Sequence, residues 1–339
     1  MNYLGFYDLE QEAFSNAPVG RFYFHSDQHT QALLRLERIV RQMKGLAVLI
    51  GGIGAGKTTL ARKLLESLPE SEFEAALLVI IHSGITPDWL LKRIAQQLGV
   101  AQPAEGKLAL LSQLYRRLLQ IADSGKKAVV LIDETQMLQT RELMEEFRGL
   151  LNLEIPGRKL ITFVFFGLPE LEENLKLDLP LAQRVALKYH LDAFDSTSCY
   201  RYIDHRLKLA GATREIFEDA AKEAIFNYSR GIPRVINTIA DNALFEGYLL
   251  KASTIGSEII ENIAVDLGLS LSPKRESKGF DLSLAQVSVK EQEDVFVNLF
   301  ESPENAIREG GLMEQSFERE ESRDSEDINS ILAGLEEKL

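Results

Sequence analysis

The stretch GGIGAGKTTL, residues 51–60, joins an apolar run to an amphipathic one, and this junction restricts the fold more than any other feature of the chain. LAVLI (46–50) before it has the continuous hydrophobicity of a buried strand, and residues 58–68 after it carry helical spacing. The spacing G-x-x-x-x-G-K-[ST] is met by Gly51, Gly56, Lys57 and Thr58. Between a strand and a helix, such a loop turns its backbone N–H groups inward, where the positive end of the helix dipole adds to them. Gly51, Gly52, Ile53, Gly54, Ala55, Gly56, Lys57, Thr58 and Thr59 are therefore read as a phosphate cradle. Lys57 would supply a cation to the β- and γ-phosphates of a nucleotide, and the Thr58 hydroxyl a ligand to Mg²⁺. A glycine-rich turn without a ligand is the bland alternative, and the flanking strand and helix weigh against it.

Three further apolar runs, AALLVII (75–81), AVVLI (128–132) and LITFVFF (160–166), read as buried strands, with VALKYHL (185–191) as a weaker fifth. Amphipathic stretches at 30–43, 58–68, 88–98, 107–122 and 140–152 separate or precede them. Strands alternating with helices predict an α/β fold, here a five-stranded parallel sheet covered on both faces. Residues 1–29 are aromatic-rich without helical period and are expected to form an ordered strap on the domain that follows. The boundaries expected are 1–29 for this strap, 30–192 for the α/β domain, 193–270 for a small all-α lid of about four helices, and 271–339 for a tail.

Of the net charge of −13, the 8 basic and 17 acidic residues from 273 onward carry −9, leaving −4 on the rest. The tail is expected to be acidic and largely disordered, with short helical segments. Ile328, Ile331, Leu332 and Leu335 share one face there, which fits either docking on a protein partner or a solvated helix. RRL (116–118) and GKK (125–127) are modest basic clusters, so DNA binding is open but unsupported by charge. No run of 18 apolar residues encodes a membrane span, and the first residues lack a secretory signal. With Cys199 as its single cysteine, the chain is expected to be cytoplasmic, and that thiol is read as a packing residue.

A second acidic motif completes the site. AVVLIDET (128–135) is an apolar strand ending in Asp133 and Glu134, at the edge where open parallel sheets bind ligands. Asp133 would hold Mg²⁺ through its water shell, and Glu134 would orient or deprotonate the attacking water. A solvated acidic pair at a loop start is the alternative, less fitting beside the glycine-rich loop.

These two motifs, the strap with His29-x-x-Ala32-Leu33, GLLNLE (149–154), GLPEL (167–171), LAQRVALKYHL (181–191) and GIPRVIN (231–237) together resemble one family over residues 1–268. It is the AAA+ ATPases of the general secretion pathway protein A (ExeA-like) group, relatives of the bacterial transposition ATPases TnsC, TniB and MuB. The resemblance implies a P-loop AAA+ core, homo-oligomers in rings or filaments, and ATP hydrolysis. It implies that Arg234 is a sensor-2 arginine reaching the γ-phosphate from the lid. Arg184 is its candidate arginine finger, with Arg148 a weaker alternative, and a plain salt-bridging role fits Arg184 equally well. His29 is placed either near the adenine or as a packed structural histidine. Relatives commonly carry Gln where this chain has Leu168, which implies slow or partner-dependent hydrolysis. Three functions follow: an assembly or remodelling ATPase for a secretion or cell-envelope machine, an ATP-dependent DNA adaptor, or a slow regulatory switch.

Overall fold

The computed structural model describes residues 3–16 and 20–270. The expectations for the acidic tail, including its docking face, lie outside these residues. Five strands, β1 (Leu46–Gly51), β2 (Phe73–Val79), β3 (Lys127–Asp133), β6 (Ile161–Gly167) and β7 (Val185–Leu191), form one parallel sheet in the order β2-β3-β6-β1-β7. β4 (Glu154–Ile155) and β5 (Arg158–Lys159) make a separate antiparallel pair. The five-stranded parallel sheet is the one expected.

The sheet explains the strength of each strand's sequence signal. β1, β3 and β6 lie inside the sheet, and β1 and β6 are buried at every position, so they read as unbroken apolar runs. β7 is an edge strand paired only with β1, and its burial alternates, which is why VALKYHL reads weakly. β2 is the other edge and ends earlier than the run 75–81. Its register with β3 closes at Val79 opposite Asp133, leaving Ile81 79 % exposed beyond it.

One face of the sheet packs against α4 (Pro87–Gln97), α5 (Lys107–Asp123) and α6 (Arg141–Leu150), through Leu90, Ile94, Leu114, Leu118 and Phe147. The other packs against α2 (Asp27–Arg41) and α3 (Lys57–Glu66), through Leu36, Val40, Leu60 and Leu64. Thr86 and Thr140 cap α4 and α6 by accepting the backbone N–H of Trp89 and Leu143. Short helices α7 (Leu171–Leu175) and α8 (Leu179–Ala182) lead from β6 into β7. Beyond β7 come α9 (Ser196–Leu209), α10 (Asp219–Ser229), α11 (Pro233–Leu249) and α12 (Ser257–Asp266), around a core of Ile203, Ile225, Ile236, Ile239, Leu244 and Ile260. Cys199 is buried in that core, where desolvation pushes its thiol up to about 12, as suits a packing residue.

The strap departs from the expected placement. It starts with α1 (Tyr3–Phe6), and Tyr7, Leu9, Ala13 and Phe14 are buried among α9–α12, not on the α/β domain that follows in sequence. Arg206 of α9 fixes it: Nε donates to Ala13 O at 2.6 Å and Nη2 to Ser15 O at 2.8 Å. Tyr23 alone of its buried aromatics joins the core on the α2–α3 face. Ser15, Asn16, Phe22, Tyr23, Phe24 and His29 thereby come beside the glycine-rich loop.

Candidate nucleotide site

β1, β3 and β6 end side by side at Gly51, Asp133 and Gly167, and the glycine-rich loop and the turn after β3 rise from these ends. A cleft of about 370 Å³ opens there. It is lined on one side by Gly54, Gly56, Lys57, Thr58 and Thr59, and on another by Glu134, Gln136 and Leu168. Aromatic and polar groups close the rest, notably Tyr23, Phe24, Phe194, Tyr202, Arg206 and Arg234.

The loop has the backbone its glycines permit. Gly56 lies at φ +99°, and a side chain there would also press on His29 Nε2 at 3.0 Å. Gly54, at φ +76°, lets the start of α11 come close: an added Cβ would lie 2.8 Å from the Cβ of Arg234. The Arg234 N–H points to Gly54 O at 3.4 Å. The helical segment therefore abuts the loop directly.

Lys57 is the first residue of α3 and is 7 % exposed. Its ammonium donates to Gly51 O and Gly52 O, both at 3.0 Å, so the loop's own carbonyls hold the cation. Burial pushes its pKa down, opposed by the charges of Glu134 and Asp133. Thr58 Oγ1 donates to Asp133 Oδ2 at 2.6 Å, and the Glu134 N–H donates to Asp133 Oδ1 at 2.9 Å. Burial pushes the Asp133 carboxyl up, and these two hydrogen bonds act against it.

A hydroxyl and a carboxylate oxygen in contact are hard oxygen donors suited to Mg²⁺, which takes few protein ligands and keeps water and phosphate oxygens. Among the described residues no group of three or more His, Cys, Asp or Glu could hold a metal ion by itself. The donor set thus fits the ion; Thr58 and Asp133 would hold it, and its chemistry would be neutralising phosphate charge.

Glu134 sits in the left-handed region at φ 59°, an uncommon conformation for a side chain of this size. Its carboxylate oxygen Oε2 accepts the Gln136 amide at 2.6 Å. Arg184 does not line the cleft; its Nη1 donates to Arg148 O at 3.1 Å and to Asn152. Arg148 pairs with Asp178 at 3.0 Å. Motif reading passed over Gln136, Tyr202, Arg206 and the strap residue Asn16, which belong to no phosphate-binding pattern and reach the cleft only through the tertiary fold.

His29 lies behind the loop. Its Nε2 faces Ala55 O at 3.3 Å, and since a carbonyl only accepts, that nitrogen carries the proton. Nδ1 then accepts from Ser26 Oγ at 2.7 Å, while Ser26 Oγ accepts the His29 N–H at 3.3 Å. The ring is neutral, and burial pushes its pKa down to about 4. The unfolded chain binds this proton near pH 6.5, so the unfolded state is favoured as pH falls through the window 6.5 to 4. His29 is expected to contribute a loss of about 3 kcal/mol in stability across that window. Denaturant unfolding at pH 7 and pH 4 checks this: the drop should be smaller in His29→Gln than in wild type.

Residues 40–175 match the sequence profile of a family described as AAA domain. That stretch is an AAA domain. It is 35 % identical over 249 residues to the general secretion pathway protein A of Aeromonas hydrophila, covering 73 % of this chain and 45 % of that protein. The chain thus spans under half the length of that curated relative. Among solved AAA+ structures, the Aeropyrum pernix ORC2 protein, in ADPNP–ADP complexes, superposes with a TM-score of 0.58 at 16 % identity, over 86 % of this chain and 85 % of that one. Cdc6p from Pyrobaculum aerophilum gives 0.57 at 18 % identity, over 75 % and 70 %. At such identities these two speak for the AAA+ fold alone. Among the described residues no helix is long and apolar enough to cross a membrane.

Proposed function

We propose that this AAA+ protein binds and hydrolyses ATP with Mg²⁺, oligomerises in its ATP-bound form, and assembles or remodels a partner complex. The observation that carries this reading is the convergence of Lys57, the Thr58–Asp133 contact, Glu134 and Arg234 on one cleft. Residues 51–59 cradle the phosphates, and Lys57 leaves the carbonyls of Gly51 and Gly52 to meet the γ-phosphate. Glu134 takes a proton from the attacking water. Residues 30–192 serve as the nucleotide-binding domain and 193–270 as its lid, with Arg234 carrying lid position to the phosphates.

In an oligomer the finger falls to Arg184 of a neighbouring copy. Both of its intrachain bonds use Nη1, so Nε and Nη2 keep donors for a phosphate across an interface. The partner complex proposed is a secretion or cell-envelope machine served from the cytoplasm; its secretion part is supported by the likeness to general secretion pathway protein A.

The test is turnover and oligomer mass with ATP, ADP and no nucleotide, each with and without duplex DNA. Mass is expected to rise with ATP over ADP, and turnover to be independent of DNA. Absence of ATP binding ends this reading. A salt-sensitive rise in turnover with DNA replaces the assembly role with the DNA adaptor.

A further inference from the structure

Leu168 follows β6 directly, and its side chain can neither donate nor accept a hydrogen bond. Its main chain does both. The Leu168 N–H donates to Gln136 Oε1 at 3.1 Å. Gln136, 6 % exposed, therefore has its amide orientation determined: a backbone N–H only donates, so the oxygen must face it and the –NH₂ must face the other way. That way lies Glu134 Oε2, at 2.6 Å. The turn carrying Gln136 is itself tied to β6 and α7. Asn174 Nδ2 donates to Gln136 O at 2.9 Å, and Thr135 Oγ1 donates to Phe166 O at 2.9 Å. Gly167 leaves room for this approach, since a Cβ there would lie 2.7 Å from Thr135 Oγ1.

From this geometry we propose that Gln136 is the positioning residue for Glu134 in ATP hydrolysis, an inference that rests on the hydrolytic reading above. Glu134 occupies a backbone conformation that persists only when its surroundings over-determine it. The Gln136 amide is one such determinant and fixes the carboxylate rotamer through a charge-assisted bond. It engages one carboxylate oxygen and leaves the other to accept the proton of water. Through Leu168 N–H, the same amide ties the base to the end of β6.

Two variants separate positioning from folding. Gln136→Ala removes the donor and the acceptor; Gln136→Glu keeps the acceptor for Leu168 N–H and replaces the donor with a second carboxylate. Both are expected to lower kcat by about 10- to 100-fold, the worth of one hydrogen bond to a charged group. KM and ATP affinity should stay within about twofold, and both variants should keep a single cooperative melting transition that bound ADP raises as it does in wild type. A kcat equal to or above wild type in either variant overturns the proposal, as does an equal rise in KM.

Wild-type turnover is measured alongside. If wild type binds ATP without turning it over, the hydrolytic reading fails by itself, and the contact is judged by the Gln136 side-chain amide resonances. They are expected to move when Glu134 is changed to alanine in nucleotide-free protein. Resonances that stay in place overturn the assignment.

Discussion

Lys57→Ala is expected to abolish measurable ATP binding, a loss of at least about 100-fold in affinity if two charge-assisted bonds to phosphate disappear. The ammonium is buried, is held by two loop carbonyls at 3.0 Å, and stands between the acidic pair and the loop. Burial works against its charge in the free protein, so an arriving phosphate gives back in attraction what desolvation removed. The readout is thermal stabilisation by nucleotide. Wild type at an ATP concentration of 100 times Kd should gain about 2.7 kcal/mol, and Lys57→Ala at most about 0.4 kcal/mol. The variant should still fold, because Gly51 and Gly52 carbonyls freed by the truncation border an open cleft that admits water. Wild-type-like stabilisation of the variant would remove Lys57 from the site and the phosphate reading with it.

How much of this was legible in the sequence depended on how local each cause was. The central strands were, because burial on both faces leaves only apolar residues at Leu46–Ile50 and Ile161–Phe166. The glycine-rich loop and Asp133–Glu134 were legible because phosphate and metal chemistry limit residue type at fixed spacing. The strap's destination was not. Tyr7 and Phe14 look the same on either domain, and their burial beside α9–α12 depends on Arg206, about 190 residues further along the chain. Strand β2 was shifted by two residues because Ile80 and Ile81 have strand character, yet β3 ends opposite Val79. Gln136 carried no motif at all: a glutamine after an acidic pair reads as turn surface until Leu168 and Glu134 are seen on either side of it. Arg184, named by resemblance alone, gains from the fold a location and partners, and the finger role proposed for it requires a second copy of the chain.

Glu134→Gln is expected to lower kcat by about 10²- to 10⁴-fold, the span typical of a lost general base, while ATP binding stays near wild type. The substitution keeps shape and keeps an oxygen that accepts the Gln136 amide, so the contact at 2.6 Å can persist with a neutral partner. Asp133, which receives Thr58 Oγ1 and the backbone N–H of residue 134, is untouched, so the ion site survives. Single-turnover measurement with saturating ATP separates this from a slower product release, and ATP should remain bound long enough for the oligomer mass to rise above that of wild type. The double variant with Gln136→Ala sharpens the assignment. If Gln136 acts by orienting Glu134, its removal has nothing left to orient, and the double variant should be no slower than Glu134→Gln by more than about twofold. Multiplying losses would mean that the two residues serve hydrolysis separately. A Glu134→Gln protein that still turns over at the wild-type rate would place the base elsewhere in the cleft.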